Sequence, residues 1–229
     1  MKKTLYTAVG HFRRKRDGQG RSYPVVIVNR EEHEMDLQEM VVWTALCWNI
    51  CDFAELERKY DRLAERTPTA RRTLEFCVER LQTRGLVAAG NGGTDFDALY
   101  DLLAGLYVVP VSEGFPLRLI TFLKLVLFKG VSWRKAWILF RRDQRSEREA
   151  RVMDLSKQAL LSVAELVKCA EGGVEDVSTD RKLLDALYDD ADSTSANLPF
   201  LMRGAASTEA VTMAVANLYL RKQIILEKV

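Results

Sequence analysis

The sequence predicts a mainly α protein with a small β part: an N-terminal β-hairpin, three helices closed by a strand and a turn, then a C-terminal helical bundle. Three observations carry that expectation. Tyr23-Pro24-Val25-Val26-Ile27-Val28 is rich in β-branched residues and poor in helix formers. From Asp36 the apolar residues change to a 3.6-residue period, with Met40, Trp43, Thr44, Cys47 and Trp48 on one face. Beyond residue 94 nearly every segment between Gly, Pro or Ser/Thr/Asp breaks keeps that period.

Leu5 to Phe12 reads as a first strand, Asp17-Gly18-Gln19-Gly20 as a turn, and Tyr23–Val28 as the returning strand, which places one hairpin over residues 4–29. Pro24 then sits near the start of its strand, where a missing N–H is tolerated. His33-Glu34-Met35-Asp36-Leu37 adds a short third strand. Asp36 can cap the first helix and Asp52 the second, with Glu55 three residues after Asp52 in capping-box spacing. Leu56, Tyr60 and Leu63 form the buried side of that second helix. Thr67-Pro68-Thr69 breaks the chain, and a third helix runs from Thr69 through Leu74, Cys77, Val78 and Leu81 to a stop at Gly85. Leu86–Ala89 reads as a strand and Asn91-Gly92-Gly93 as a turn. Helices are expected near 95–107, 115–129, 132–146, 147–170, 180–191 and 207–228, with Val108-Val109-Pro110-Val111 as an extended connector. The domain division falls at 1–94 and 95–229. No internal repeat or low-complexity tract is evident.

The chain has 229 residues, with 34 Lys plus Arg against 32 Asp plus Glu, for a net charge of +2. That balance excludes a strongly basic or acidic protein as a whole. Its distribution is uneven: Lys2, Lys3, Arg13, Arg14, Lys15, Arg16 and Arg21 face only Asp17, so residues 1–22 carry +6 and residues 23–229 carry −4. A basic end favours an anionic partner there; a solvated basic hairpin tip is the other meaning of the same charges. Met1-Lys2-Lys3 is followed by no apolar signal region. Phe115–Phe128, the most apolar stretch, is interrupted by Arg118 and Lys124 and falls short of the roughly 20 residues a span requires. A cytoplasmic protein without a membrane segment is expected, its four cysteines reduced.

Residues 36–93 thus run helix, helix, helix, strand, Gly-containing turn, and the third helix closes with Leu81-Gln82-Thr83-Arg84-Gly85-Leu86-Val87. This resembles a winged helix-turn-helix domain of transcription-regulator type. The resemblance implies a DNA-binding regulator whose helix 69–85 enters the major groove of duplex DNA. Carried over by position, Thr69, Arg71, Arg72 and Thr73 are the readers, Arg66 and Glu75 flank them, and Asn91 is the wing tip. Arginines beside free N–H groups at a helix start match phosphate or guanine acceptors. The wing sequence carries no Lys or Arg, and Asp95, Asp97 and Asp101 follow it.

Residues 4–90 are also similar to PqqD-like peptide-recognition domains: a β-rich start, His33-Glu34-Met35-Asp36-Leu37, an apolar helix with Trp43, then Phe53-Ala54-Glu55-Leu56 and Leu81…Gly85-Leu86-Val87. That resemblance implies an extended leader peptide added as a strand, with Tyr23–Val28 and His33–Leu37 as the edge. The long helical half departs from those small domains.

Catalysis has little to stand on. His11 and His33 are the only histidines, no Gly-x-Ser-x-Gly elbow exists, and Gly90-Asn91-Gly92-Gly93 lacks a Gly-Lys-Ser/Thr ending. No enzyme, cofactor or metal is expected. Cys47, Cys51 and Cys77 with His33 could number four zinc ligands, but apolar helix positions make the thiols small hydrophobes. Asp180, Asp185, Asp189, Asp190 and Asp192 read as a solvated helix face. In the helical half Trp133, Trp137 and Phe140 share a face opposite Arg134, Lys135, Arg141 and Arg145. Val211, Val215, Leu218, Ile225 and Val229 form a seam interrupted by Lys222. That seam and Phe115–Phe128 either dock within the chain or build a homodimer.

Overall fold

The computed structural model describes residues 2–16, 18, 20, 22–64, 72–111, 145–188 and 192–229. Within them the protein is mixed α and β, with its first four strands at the N-terminus. The expected helices over 115–129 and 132–146, the stretch Phe115–Phe128 and the aromatic face of Trp133, Trp137 and Phe140 lie outside the described residues, as do Asp189 and Asp190.

Strands β1 (Lys3–Ala8), β2 (His11–Arg16), β3 (Ser22–Val28) and β4 (Glu31–Glu34) precede helices α1 (Leu37–Leu46), α2 (Phe53–Ala64) and α3 (Leu74–Thr83). The single hairpin expected over 4–29 is in fact two separate pairings. β2, β3 and β4 form an antiparallel sheet in that order, while β1 pairs with β5 (Val87–Gly92), from Lys3 opposite Gly92 to Ala8 opposite Val87. Gly10 (φ 84°) separates β1 from β2, and a side chain there would overlap the Ile27 carbonyl and Val28. Helix α1 starts where Asp36 predicts. Its carboxylate accepts from the N–H groups of Gln38 and Glu39 (both 3.0 Å), and Glu39 returns a bond from the Asp36 N–H (3.1 Å). Asp52 caps α2 through the Glu55 N–H (2.8 Å). The third helix begins at Leu74 rather than near Thr69, because Thr73 takes the cap position and accepts from Phe76 N–H at 3.3 Å.

The expected turn at 91–93 is no wing. β5 runs through Gly92, and Thr94 then caps helix α4 (Asp95–Leu103). Gly90 and Gly92 have no Cβ, and one at either position would collide with the backbone of Leu102 or Ala98, so α4 lies directly on β5. The division expected after residue 94 therefore precedes a helix that packs on β1 and β5.

The second half departs from a helical bundle. Its elements are β6 (Tyr107–Pro110), α5 (Glu147–Gln158), β7 (Leu161–Ser162), α6 (Val163–Glu171), α7 (Asp180–Leu187), α8 (Leu198–Leu201), a 3-10 turn (Met202–Gly204), α9 (Thr208–Leu220) and β8 (Ile224–Glu227). The expected connector 108–111 supplies β6, the central strand of an antiparallel sheet ordered β7-β6-β8. The helix expected over 147–170 breaks at residues 159–162, where Ser162 caps a new helix. The one expected over 207–228 ends at Leu220. Ile224 and Leu226 are buried and alternate with half-buried neighbours, the period of a strand.

Among the described residues one arrangement, a strand, a pair of capped helices bridged to it and a closing helix and strand, occurs twice, with two further helices in the second copy. In the first unit β1 pairs with β5, and Tyr6 also bridges to Cys51 between α1 and α2. In the second, β6 pairs with β8, and Val108 also pairs with Leu161 between α5 and α6. Caps Asp36 and Asp52 are sixteen residues apart, as are caps Ser146 and Ser162, and each second cap leads into Ala-Glu-Leu, at 54–56 and 164–166. Helices α3 and α9 end alike. Gly85 (φ 71°) and Lys222 (φ 61°) are left-handed, and Leu86 and Gln223 N–H donate back to Leu81 and Leu218 at 2.9 Å. The sequence shows no evident repeat because the two units share caps and burial, with few identical residues.

The units share one core, from Ala8, Val42, Trp43, Leu46 and Leu56 to Val108, Leu166, Val215, Leu218 and Leu226. The Tyr219 hydroxyl joins them, accepting from Trp48 N–H (3.0 Å) and donating to the Ala8 carbonyl (3.2 Å). Leu226 carbonyl accepts from Gly10 N–H at 2.8 Å. Val211, Val215 and Leu218 of the expected seam are thereby buried inside the chain itself. Among the described residues no helix is long and apolar enough to cross a membrane.

Cys51 and Cys169 are buried and Cys47 is half-buried. Burial raises all three thiols from about 9 to about 11. Between those values the native state keeps protons that the unfolded chain releases, so stability is full below about pH 9 and is lost toward pH 11. The slope is roughly 1.4 kcal/mol per pH unit for each thiol. Urea midpoints should fall steeply across that interval, and fall less with Cys51→Ala and Cys169→Ala measured against their own neutral-pH values. A midpoint constant up to pH 11 contradicts the assignment.

Candidate functional site

Of the residues expected to read DNA, Arg66, Thr69 and Arg71 lie outside the described residues. Arg72 and Thr73 stand at the head of α3, and both are engaged. The Arg72 guanidinium forms an ion pair with Asp36, and its backbone carbonyl accepts from Gln38 Nε2 at 2.7 Å. Thr73 is the helix cap. Although burial opposes its ionisation, the Asp36 carboxyl is held below its ordinary range by the Glu39 N–H, the Arg72 guanidinium and the Gln38 N–H. Asn91 is set within β5. Its Oδ1 accepts from Thr4 Oγ1 and its N–H donates to Asp101, both at 2.8 Å.

The outward residues of α3 are Glu75, Phe76, Glu79, Arg80 and Thr83. Arg80 is the sole cation among them, and its Nε lies 2.8 Å from Glu39. Glu39 is only 1% exposed and also receives Arg84, at 3.1 Å. A second bond from Arg84, 2.5 Å to the Glu34 carbonyl, fastens the end of α3 to the end of β4. One charge-assisted hydrogen bond from Arg84 to Glu39, the Arg80 ion pair and the Arg84–Glu34 bond tie α1, the end of α3 and β4 together.

β4 is an edge strand, as is β2 on the opposite side of the sheet. β3 lies between them, so the expected edge at Tyr23–Val28 is the sheet's centre. The other expected edge, His33–Leu37, is a strand only up to Glu34. Val26 and Val28 of β3 enter the core, which puts the helices on that face. On the two helices flanking β4, Leu37 of α1 and Phe76 of α3 remain about half-exposed. Among the described residues the site is thus a strand edge with no paired strand, its Glu34 carbonyl engaged by Arg84, and with Leu37 and Phe76 exposed on the neighbouring helices. A backbone edge can bond an extended chain, and such side chains can receive its alternate residues.

The expected edge at His33–Leu37 overlaps β4 at His33 and Glu34, whereas the Glu39–Arg84 tie was absent from the expected site. The capping-box spacing of Asp36 and Glu39 was the available signal, but which arginine reaches Glu39 depends on folding. Among the described residues no three His, Cys, Asp or Glu side chains converge as metal ligands, and Cys47, Cys51, Cys77 and His33 form no such group. Compared with known families, curated proteins and solved structures, the chain matches no family model, no curated protein and no solved structure.

Proposed function

We propose that this chain is a peptide-recognition protein of PqqD-like kind, which takes an extended segment as an added strand on β4 beside α3. In this reading the two repeated units are winged-helix-type modules whose wings are given up. The observation that carries it is the open β4 edge, tied through Glu34 and Arg84 to a helix whose outward face offers Phe76 instead of a row of cations. Strand addition draws its affinity from main-chain bonds and its selectivity from side chains on one face.

A DNA-binding regulator is the second reading, favoured by the exposed cations Arg13, Lys15 and Arg16 of β2. Against it weigh the outward Glu75 and Glu79 on α3, the engagement of Arg72 with Asp36, and a β5 that leads into α4. Phosphate contacts from few free cations give weak binding that salt removes.

Parallel selections from displayed random peptides and from a random duplex pool separate the two. An enriched peptide should shift the amide signals of residues 31–34. An enriched duplex that Arg72→Ala and Arg80→Ala weaken, with no peptide enriched, replaces this reading with the DNA one.

A further inference from the structure

Resting on the strand-addition reading, we infer that the segment taken at β4 is a basic amphipathic strand, with Lys or Arg alternating with apolar residues. Side chains alternate across the faces of a sheet. Val26 and Val28 mark the helix-facing side of β3, and their partners on β4 are His33 and Glu31. Val25, itself 1% exposed, and the half-buried Ile27 mark the other side, opposite Glu34 and Glu32. A strand added to β4 therefore meets two different surfaces. On the outer face it lies beside Glu32 and Glu34, both exposed. On the helix-facing side its neighbours on β4 are His33 and Glu31, and the large apolar side chains left exposed on α1 and α3 are Leu37 and Phe76.

The charges around the edge choose the occupant. Glu31, Glu34, Glu75 and Glu79 have no cation partner among the described residues, while Arg72, Arg80 and Arg84 are each paired with Asp36 or Glu39. Among the described residues the one cation without an ion pair at this edge is Arg30 of the β3–β4 turn, so the unpaired carboxylates outnumber it and the free charge there is negative. Glu32 already displays the interaction, since Lys15 reaches it across β3 in an ion pair. Opposite charges on neighbouring strands stabilise pairing and like charges oppose it. An acidic strand meets Glu31, Glu32 and Glu34 along the edge, with Arg30 at the turn end as the exception. A basic strand finds Glu34 unpaired and can compete for Glu32.

The probes are two synthetic peptides of one alternating pattern, Val and Phe interleaved with Lys and Arg in the first and with Glu in the second, each titrated into the full chain. The basic peptide should bind about tenfold or more tightly than the acidic one, shift the amides of residues 31–34, and weaken with added salt. Glu32→Lys with Glu34→Lys should reverse the preference; both side chains are exposed, and an unchanged thermal midpoint confirms that the variant is folded. Equal binding of both peptides at β4, or preference for the acidic one, overturns the charge inference and leaves strand addition standing. If neither peptide moves the β4 amides, strand addition at this edge fails, and the inference fails with it.

Discussion

Arg221→Ala should lower the unfolding free energy by about 1–3 kcal/mol, the cost of leaving a buried acceptor without its partner when the partner itself is 42% exposed, and by more than Arg84→Ala. The two arginines occupy the same place in the two units. Each ends the helix that leads into the last strand of its unit, and each reaches a glutamate in the first turn of a cap-started helix, Arg84 to Glu39 at 3.1 Å and Arg221 to Glu149 at 3.2 Å. Both glutamates return a bond to their own cap N–H, from Asp36 at 3.1 Å and Ser146 at 2.9 Å. They are 1% and 3% exposed, so a carboxylate deprived of its arginine loses a partner that water cannot readily replace. The units differ in reserve. Glu39 also has Arg80 at 2.8 Å, whereas Arg221 is the sole cation paired with Glu149 among the described residues. Arg84→Ala is therefore partly relieved and Arg221→Ala is not. Adding Glu149→Gln to Arg221→Ala should recover part of the loss, since the stranded charge is gone. Urea unfolding of the single and double variants measures this directly. The latch has no such role if Arg221→Ala stays within about 0.5 kcal/mol of the parent.

Gly90→Ala should cost about 3 kcal/mol, the upper part of the range for forcing an added methyl into packed structure. The new Cβ meets Leu102 N and Cα and the Ala98 carbonyl, all backbone, which has no rotamer by which to yield. The helix α4 has to lift from β5, uncovering Ala98, Leu102 and Leu103, which are otherwise buried. Gly105→Ala is the control, because nothing lies within 4 Å of its added Cβ and its φ is not left-handed. Amide exchange in α4 should quicken in Gly90→Ala alone. Equal midpoints for the two variants would refute the close approach.

The same approach accounts for the missing wing. A hairpin after β5 needs the chain to turn back as a strand, and Asn91-Gly92-Gly93 is suited to that locally. Thr94 and Asp97 instead form a capping box, with Asp97 N–H donating to Thr94 Oγ1 at 3.1 Å. Both signals stand in the sequence a few residues apart. The helix prevails because Gly90 and Gly92 clear a bed for it on the sheet.

What the sequence determined by itself is local. Asp36, Asp52 and Gly85 are helix ends that neighbouring backbone groups define; Asp36 and Gly85 act as their spacing predicts, and Asp52 receives the Glu55 N–H while the Glu55 carboxylate turns to Lys59. The strand at 22–28 and the buried faces through Trp43, Leu56 and Leu81 follow from periodicity and burial alone. The tertiary structure alone decided the long-range pairings: β1 with β5 rather than β2, β6 with β8, and thus the second copy of the unit. A four-residue strand such as Ile224–Glu227 continues an apolar helical pattern without a local break, and its partner is more than a hundred residues away. The candidate site divides the same way. Arg72 and Thr73 could be placed at a helix start from sequence, but Asp36 and Glu39 take up the charge of Arg72, Arg80 and Arg84, and β4 keeps its edge open. Those outcomes depend on which charges and edges folding brings together, and a spacing rule over a few residues carries no such information.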